Sequence, residues 1–388
     1  MRLEGKVVHI AGSASDKTEL TLIEYGHKLI GSLVSKLLSE GARFLIQVGK
    51  EDYKRTNGSY IPLIFDWTVI SEIYDYLRSN GLDFRSSPVK PIITVVKQNF
   101  MESLPSQRYD LWKSLLDKGA VQIEFVEEGW SSGAVRRIRM SEFGDLLIIL
   151  SGGEGVEHLA EEYNRHYKPI IPLDLKLGSS KGDGGGGAVK LFSKMLQSYS
   201  SFMNIKNQAS AGELFLSLKT NNGITPVDTV TDGVARLIHN ITPPNAFYVR
   251  LLATEAEGYG EVENYFRTIV DPLMKQHGFS IKEMGAGESS YAWMNVEIFE
   301  SLHKAAIVVV DLTGLRSNCF MELGYALGRP SKVMLTAKRG TKLPFDMEMY
   351  ECLFWDPIEN IESSRSNLSK YYERNFNRPP IVRNKDAL

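Results

Sequence analysis

Asp311 closes the β-branched run Ile307–Val310, and Glu322 follows it across a short loop that holds Arg316 and Asn318. A continuous apolar run of this kind reads as a strand buried on both faces. Asn318 offers a helix cap, which places Glu322 near the first turn of the helix behind it. Ligands of open α/β sheets gather at the carboxyl ends of strands, so both acids are expected beside a pocket. The chemistry that suits two such carboxylates is cleavage of a glycosidic bond. Placed this way, the pair could attack the anomeric carbon, with Glu322 as the attacking group, and guide the cleavage. A helix start favours the ionised nucleophile by a few tenths to ~1 kcal/mol. A structural role is open to each: acids are common in first helical turns, and a strand-terminal Asp often accepts amides of the next turn.

Positioning these groups takes an alternating pattern of strands and helices, and the chain supplies two. In the first half, strands are expected at Lys6–Ile10, Phe44–Val48, Ile61–Phe65, Ile92–Val96, Val121–Val126, Leu146–Leu150 and Ile170–Pro172. Between them lie helices at Glu24–Glu40, Val69–Ser79, Gln107–Lys118, Gly133–Glu142 and Gly155–His166, with another from Val189 to about Ser198. Pro243-Pro244 cannot continue a helix and marks a boundary. After it come strands near Phe247–Leu252, Ala306–Val310 and Lys332–Leu335. The fold class read from this is α/β, with two Rossmann-like, doubly wound parallel-sheet domains joined by a helical linker. The expected divisions are 1–198, a linker at 199–243, a second domain at 244–357 and a loosely packed polar tail at 358–388.

Two glycine turns punctuate the first half. Gly12-Ser13-Ala14-Ser15 follows the first strand, and Gly152-Gly153-Glu154-Gly155 opens a helix after Leu146–Leu150. Glycine lets backbone amides approach a phosphate, and the helix start completes an anion site. Neither turn is a full dinucleotide fingerprint or a phosphate-binding loop of the Walker type. The loop Lys181–Ala188 reads as flexible. In the second half Arg316 offers a bidentate phosphate contact, and Trp293 offers a face on which a base could stack.

Bulk properties exclude several classes. The chain has 388 residues, 43% apolar and 24% charged, which is ordinary globular composition for two domains. A net charge of −2 gives no global attraction to nucleic acid or membrane. Cys319 and Cys352 are its two cysteines and cannot make a disulfide framework. The seven histidines show no metal-ligand spacing, so no metal is expected. With no secretory segment and no apolar run of spanning length, the expectation is a cytoplasmic protein.

The segment Asp311-Leu-Thr-Gly, followed by Asn318 and Glu322-Leu-Gly-Tyr-Ala, resembles the nucleoside 2-deoxyribosyltransferase-like superfamily and the TIR-like domains grouped near it, over roughly residues 245–357. Leu343-Pro-Phe-Asp346 is similar to that superfamily's late turn. The resemblance implies that Glu322 is the nucleophile, that Asp311 assists the departing base or holds the sugar, and that Tyr248, Arg250 and Thr254 contact sugar or base. Over roughly residues 5–198, the two glycine turns together resemble the SLOG superfamily, relatives of the LOG phosphoribohydrolases. That resemblance implies a nucleotide site at Gly12, Ser13, Ser15, Gly152, Gly153, Glu154 and Gly155. LOG enzymes carry Thr and Glu where this chain has Val156 and Leu159, which implies binding without hydrolysis. The function expected from both is a sensor for a nucleotide-derived signal joined to an N-glycosidase of antiviral defence. NAD is its substrate rather than a cofactor, since nicotinamide departs without a proton, and a homo-oligomer is expected. The alternatives are a deoxyribosyltransferase or an ATP- or dNTP-cleaving glycosidase, and, in another class, a non-catalytic nucleotide-binding module.

Overall fold

The structure, a computed structural model, describes residues 3, 5–49, 51, 53–56, 59–87, 89–127, 129, 132–179, 187–282, 291–329 and 332–376, with the side chains of 55–56, 59, 282, 291–295 and 376 outside that description. Residues 181–186 of the expected loop and the last residues, 377–388, also lie outside it. The chain divides into two compact units, Met1–Thr242 and Pro243–Leu388.

The first unit is built on strands β1 (Val7–Ser13), β2 (Arg43–Ile46), a hairpin of β3 (Tyr53–Thr56) and β4 (Ser59–Pro62), then β5 (Ile92–Lys97), β6 (Val121–Val126), β7 (Leu146–Ser151) and β8 (Ile170–Leu173). Six of them make a parallel sheet in the order β6-β5-β2-β1-β7-β8. Helices α1 (Leu20–Ser39), α2 (Asp66–Ser79), α3 (Ser106–Asp117), α4 (Ser132–Phe143), α5 (Glu154–Arg165) and α6 (Gly187–Gln197) cover it. The alternation of strand and helix is as the periodicity requires, but β1 runs on through the glycine turn to pair with β7 as far as Ser13↔Ser151. Ile61–Phe65 is no sheet strand. Its first residues belong to the antiparallel β3–β4 hairpin, and Pro62, which has no N–H to donate, cannot serve a central ladder.

The segment expected as a linker packs into the first unit. Helix α7 (Ala211–Leu216) is followed by α8 (Val227–Asn240), whose Val230, Val234 and Leu237 are fully buried in the same core as Leu29, Ile30 and Leu33 of α1. Thr231 Oγ1 donates to Ser32 Oγ at 3.0 Å, and His239 Nε2 meets Glu40 Oε2 at 2.5 Å. An apolar stripe at helical spacing on α8 needs a partner, and α1 supplies it.

The second unit holds β9 (Asn245–Val249), β10 (Ser280–Lys282), β11 (Ile307–Asp311), β12 (Lys332–Lys338) and β13 (Cys352–Trp355), parallel and ordered β10-β9-β11-β12-β13. Helices α9 (Tyr259–Tyr265), α10 (Asp271–Gln276), α11 (Tyr291–Lys304), α12 (Ser317–Leu327) and α13 (Ile361–Phe376) complete it. A π turn at Phe266–Val270 joins α9 to α10. Pro272 explains part of this local geometry: lacking an N–H, it cannot bond the carbonyl of Thr268, which instead accepts from Arg365 Nε at 3.0 Å. The bond comes from α13, in the stretch expected as a loose tail. Leu368, Tyr371 and Tyr372 of α13 recur at helical spacing and bury against the π turn, α10 and β13. The polar residues around them obscure that short stripe in the sequence.

Candidate active site

Strand β11 is buried along its whole length and brings Asp311 to the carboxyl edge of its sheet. The Asp311 side chain is 0% exposed. Its Oδ1 accepts the Thr313 amide at 3.0 Å, and its Oδ2 accepts both Thr336 Oγ1 and Trp355 Nε1 at 2.8 Å. Burial lifts its pKa, and the donations from Thr313, Trp355 and Thr336 work against that rise. Trp355 is itself held, stacked on Tyr265 with ring centroids 4.4 Å apart and planes inclined by 7°. Asp311 therefore ties the ends of β11, β12 and β13 together.

The chain then turns through Leu312–Leu315, where the Leu315 amide bonds the Leu312 carbonyl at 3.0 Å and Gly314 sits at φ +77°. A tight turn of this kind needs a left-handed residue at its third position, which glycine occupies without strain. Thr313 Oγ1 accepts the Lys338 amide at 2.9 Å and pins the turn to β12. Helix α12 begins at Ser317, with Arg316 at the cap position and no side-chain capping bond. Asn318 is thus inside the helix rather than its cap, and Glu322 lies beyond the first turn. The helix-start argument for its charge loses its force at that distance.

Glu322 is half-buried, and no described residue hydrogen-bonds or ion-pairs with its carboxyl group. Burial lifts its pKa above the usual carboxylate range. Cys319 locates the two acids relative to each other: its buried thiol is pushed up to about 11 by burial, then by the nearby Glu322 and Asp311. The other expected contacts separate into groups. Arg250 follows β9, its guanidinium bonded to Glu263 and seated 5.1 Å from the centre of the Phe266 ring. Tyr248 is 4% exposed and packs edge-on against Phe266 within the core. Thr254 lies on the surface and donates to Glu255 at 2.6 Å. Arg316 and Asn318 are exposed, and the side chain of Trp293 lies outside the described residues.

In the first unit, β1 and β7 lie where the sheet order reverses, the crevice in which doubly wound folds hold ligands. Gly12 approaches β7 so closely that a Cβ would sit 1.9 Å from the Leu150 carbonyl oxygen. The amides of Ala14 and Ser15 are engaged by the carbonyls of Leu63 at 2.7 Å and Leu177 at 2.6 Å. Across the crevice, Ser151 Oγ and the Gly152 amide both donate to the Gly178 carbonyl, at 2.6 and 3.0 Å. Helix α5 begins beyond Gly153 with two acids, Glu154 and Glu157, in its first turn.

Three residues at this edge escape sequence reasoning. Arg136 and Arg137 of α4 form no ion pair with a described acid; Arg137 Nε donates to His158 Nδ1 at 3.1 Å, and Arg136 Nε is buried without a partner. Asp66, at the start of α2, accepts the Gln47 amide at 3.1 Å. Burial pushes Asp66 up to about 7, against the opposing pull of that amide and of Arg136. The adjacent arginines ahead of β7 were the available signal. Among the described residues no group of His, Cys, Asp or Glu is arranged to hold a metal ion. None of the helices there is long and apolar enough to cross a membrane.

Residues 3–238 match a family model described as ATP nucleosidase Cap17-like, N-terminal. Two Escherichia coli proteins named ATP nucleosidase Cap17, one from strain KTE188, are 26% identical to this chain over 180 residues, 46% of this chain and 34% of theirs. The matched part thus spans about a third of the length of those relatives. Among solved structures, DNA processing protein A of Helicobacter pylori is similar at 16% identity and a TM-score of 0.33, over 55% of this chain and 82% of that one. A 2-desoxiribosyltransferase of Leishmania mexicana is similar at 17% identity and a TM-score of 0.22, over 30% of this chain and 79% of that one. At such TM-scores neither structure supports a statement about this chain.

Proposed function

The chain belongs to the family described as ATP nucleosidase Cap17-like, N-terminal, and from that premise we propose that it is a nucleotide N-glycosidase of antiviral defence that removes the base from an adenine nucleotide. The relatives are named for ATP, so ATP replaces NAD as the favoured substrate. The observation that supports the reading most is the Glu322 carboxyl group: half-buried, unpartnered among the described residues, and sharing Cys319 as a neighbour with the locked Asp311.

In this reading Glu322 attacks C1′ of the bound ribose as the bond from C1′ to the base nitrogen breaks. The base leaves with the bonding electrons and takes up a proton. Water then cleaves the glycosyl ester, its oxygen joining C1′ and the carboxylate being regenerated. Asp311, whose carboxyl oxygens are already engaged by three donors, acts as a positioning residue that fixes the Leu312–Leu315 turn and so the approach of α12. The first unit, with Arg137 beside Gly155 and Arg136 next to it on α4, takes a nucleotide-derived signal through its phosphates in the manner of a SLOG-like sensor. Binding there biases the chain toward its active arrangement only to the extent that the signal prefers that arrangement.

Chromatographic detection of free base tests the reading directly. The full chain, incubated with ATP and separately with NAD, is expected to release adenine from ATP faster than nicotinamide from NAD. Glu322→Gln is expected to lower adenine release by at least a thousandfold while the circular dichroism spectrum is kept. Unchanged turnover in that variant refutes the assignment.

A further inference from the structure

Arg250 and Lys338 stand at the carboxyl ends of β9 and β12, the two strands that flank β11 and its Asp311. Each is held by an acid from α9: Arg250 Nη1 donates to Glu263 Oε2, and Lys338 Nζ donates to Glu261 Oε2. The Arg250 pair is asymmetric in burial: its side chain is 7% exposed, whereas Glu263 is 37% exposed. Lys338 and Glu261 are exposed alike, at 34% and 41%. Arg250 is thus a fixture of the sheet edge that Glu263 reaches from the solvent side, and Lys338 with Glu261 forms an open pair beside it. The α9 segment is acidic throughout, with Glu255 and Glu257 preceding Glu261 and Glu263. Gly258, at φ +85° with open space where a Cβ would be, forms the entry to the helix.

A desolvated guanidinium cannot be left without an anion, so Arg250 needs Glu263 or something that replaces it. A phosphate oxyanion presents the same charge and the same paired acceptors as a carboxylate. An incoming phosphate can therefore exchange with Glu263 or Glu261, whose freed carboxylates swing into water at little cost. A nucleoside without phosphates leaves both pairs intact and gains nothing from either cation.

We propose that these two ion pairs select the substrate by its phosphates, with Arg250 and Lys338 taking phosphate oxygens and Glu261 and Glu263 acting as the internal anions that the phosphates displace. The inference rests on the N-glycosidase reading above and adds the residues by which the site tells a phosphorylated nucleotide from a free nucleoside. The acids set how strong a phosphate competitor must be, so their removal sharpens the preference and loss of a cation blunts it.

The test measures kcat/KM of the full chain for base release from ATP, ADP, AMP and adenosine. Glu261→Gln with Glu263→Gln is expected to raise the ratio of ATP to adenosine about fivefold or more, through KM for ATP. Lys338→Met is expected to lower that ratio at least tenfold, and Lys338→Arg to restore it to within about twofold of wild type. Ratios that stay within twofold of wild type in both the acid and the Met variants overturn the inference while leaving the N-glycosidase reading in place. A wild-type chain that releases no base from any of the four substrates overturns both.

Discussion

Replacing Asp311 probes the joint on which the second unit's site rests. Its carboxylate receives one amide, one hydroxyl and one indole N–H, all in a fully buried setting. In Asp311→Ala the Thr336 hydroxyl can rotate to another acceptor, but the Thr313 amide and the Trp355 Nε1 are obligate donors and stay orphaned. Each such donor costs about 1–3 kcal/mol, so the variant loses roughly 2–5 kcal/mol after the relief of burying a carboxylate is counted. Asp311→Asn keeps the shape and one acceptor oxygen. With that oxygen turned to Trp355, its NH2 faces the Thr313 amide, and the loss is one bond, about 1–3 kcal/mol. Urea unfolding of the full chain followed by near-ultraviolet circular dichroism reads both, and at an m-value of roughly 2–3 kcal/mol/M the Ala variant's midpoint falls by about 1 M or more. Burial raises the folded-state pKa of Asp311, so its titration favours the folded state at low pH and that contribution is lost as pH rises through the folded value. The gap between wild type and Asp311→Asn therefore narrows as pH rises. A midpoint in the Ala variant within 0.3 M of wild type would refute the network, as would an Asn variant less stable than the Ala one (the threshold is roughly 1 kcal/mol divided by that m-value).

Two further outcomes concern the first unit. Asp66, pushed up to about 7, contributes stability that is full below about pH 4 and is lost as pH rises through 7, on the order of 4 kcal/mol at the limit; Asp66→Asn, which still accepts the Gln47 amide, is expected to flatten thermal stability between those pH values, and an unchanged slope counts against the burial. Gly12→Ala would place its Cβ 1.9 Å from the Leu150 oxygen, forcing β1 and β7 apart, so thermal unfolding several degrees below wild type is expected; equal stability would mean that the close approach is not required.

Legibility in the sequence followed the physics of each element. Buried strands such as Leu146–Leu150 and Ile307–Val310 announce themselves because apolar runs of that length have few other uses. The Ile61–Phe65 segment misleads because apolar content alone does not reveal that Pro62 lacks a ladder donor. Helix α13 is hidden for the opposite reason: its Leu368, Tyr371 and Tyr372 stripe is narrow and the rest of its surface is polar. At the candidate site, the place of Asp311 at the end of β11 was readable from the apolar run before it, but its partners were not. Thr336 and Trp355 come from β12 and β13, strands that only parallel pairing brings beside β11. The placement of Asn318 failed because Arg316, not Asn318, ends the extended backbone before α12. The influence of Arg136 on Asp66 was not readable from the sequence, since the two lie on separate helices.

The family match and the candidate carboxylates fall on different units, and that separation decides how the relatives' name can be used. The matched residues, 3–238, lie within the first unit, whereas Asp311 and Glu322 lie in the second. The family match rests on the first unit and leaves open which unit would break the proposed glycosidic bond. If the first unit were the nucleosidase, Arg136 and Arg137 would serve turnover directly, and Glu322→Gln would leave adenine release untouched. Two features weigh against that assignment. The crevice has Val156 and Leu159 where the LOG enzymes carry Thr and Glu, and the Ala14 and Ser15 amides there are already committed to Leu63 and Leu177. In the second unit, by contrast, a carboxyl group is left without a described partner. Arg136→Met set against Glu322→Gln in the adenine assay resolves it: loss of turnover in the second, with only the response to an added signal nucleotide lost in the first, assigns binding to one unit and bond cleavage to the other.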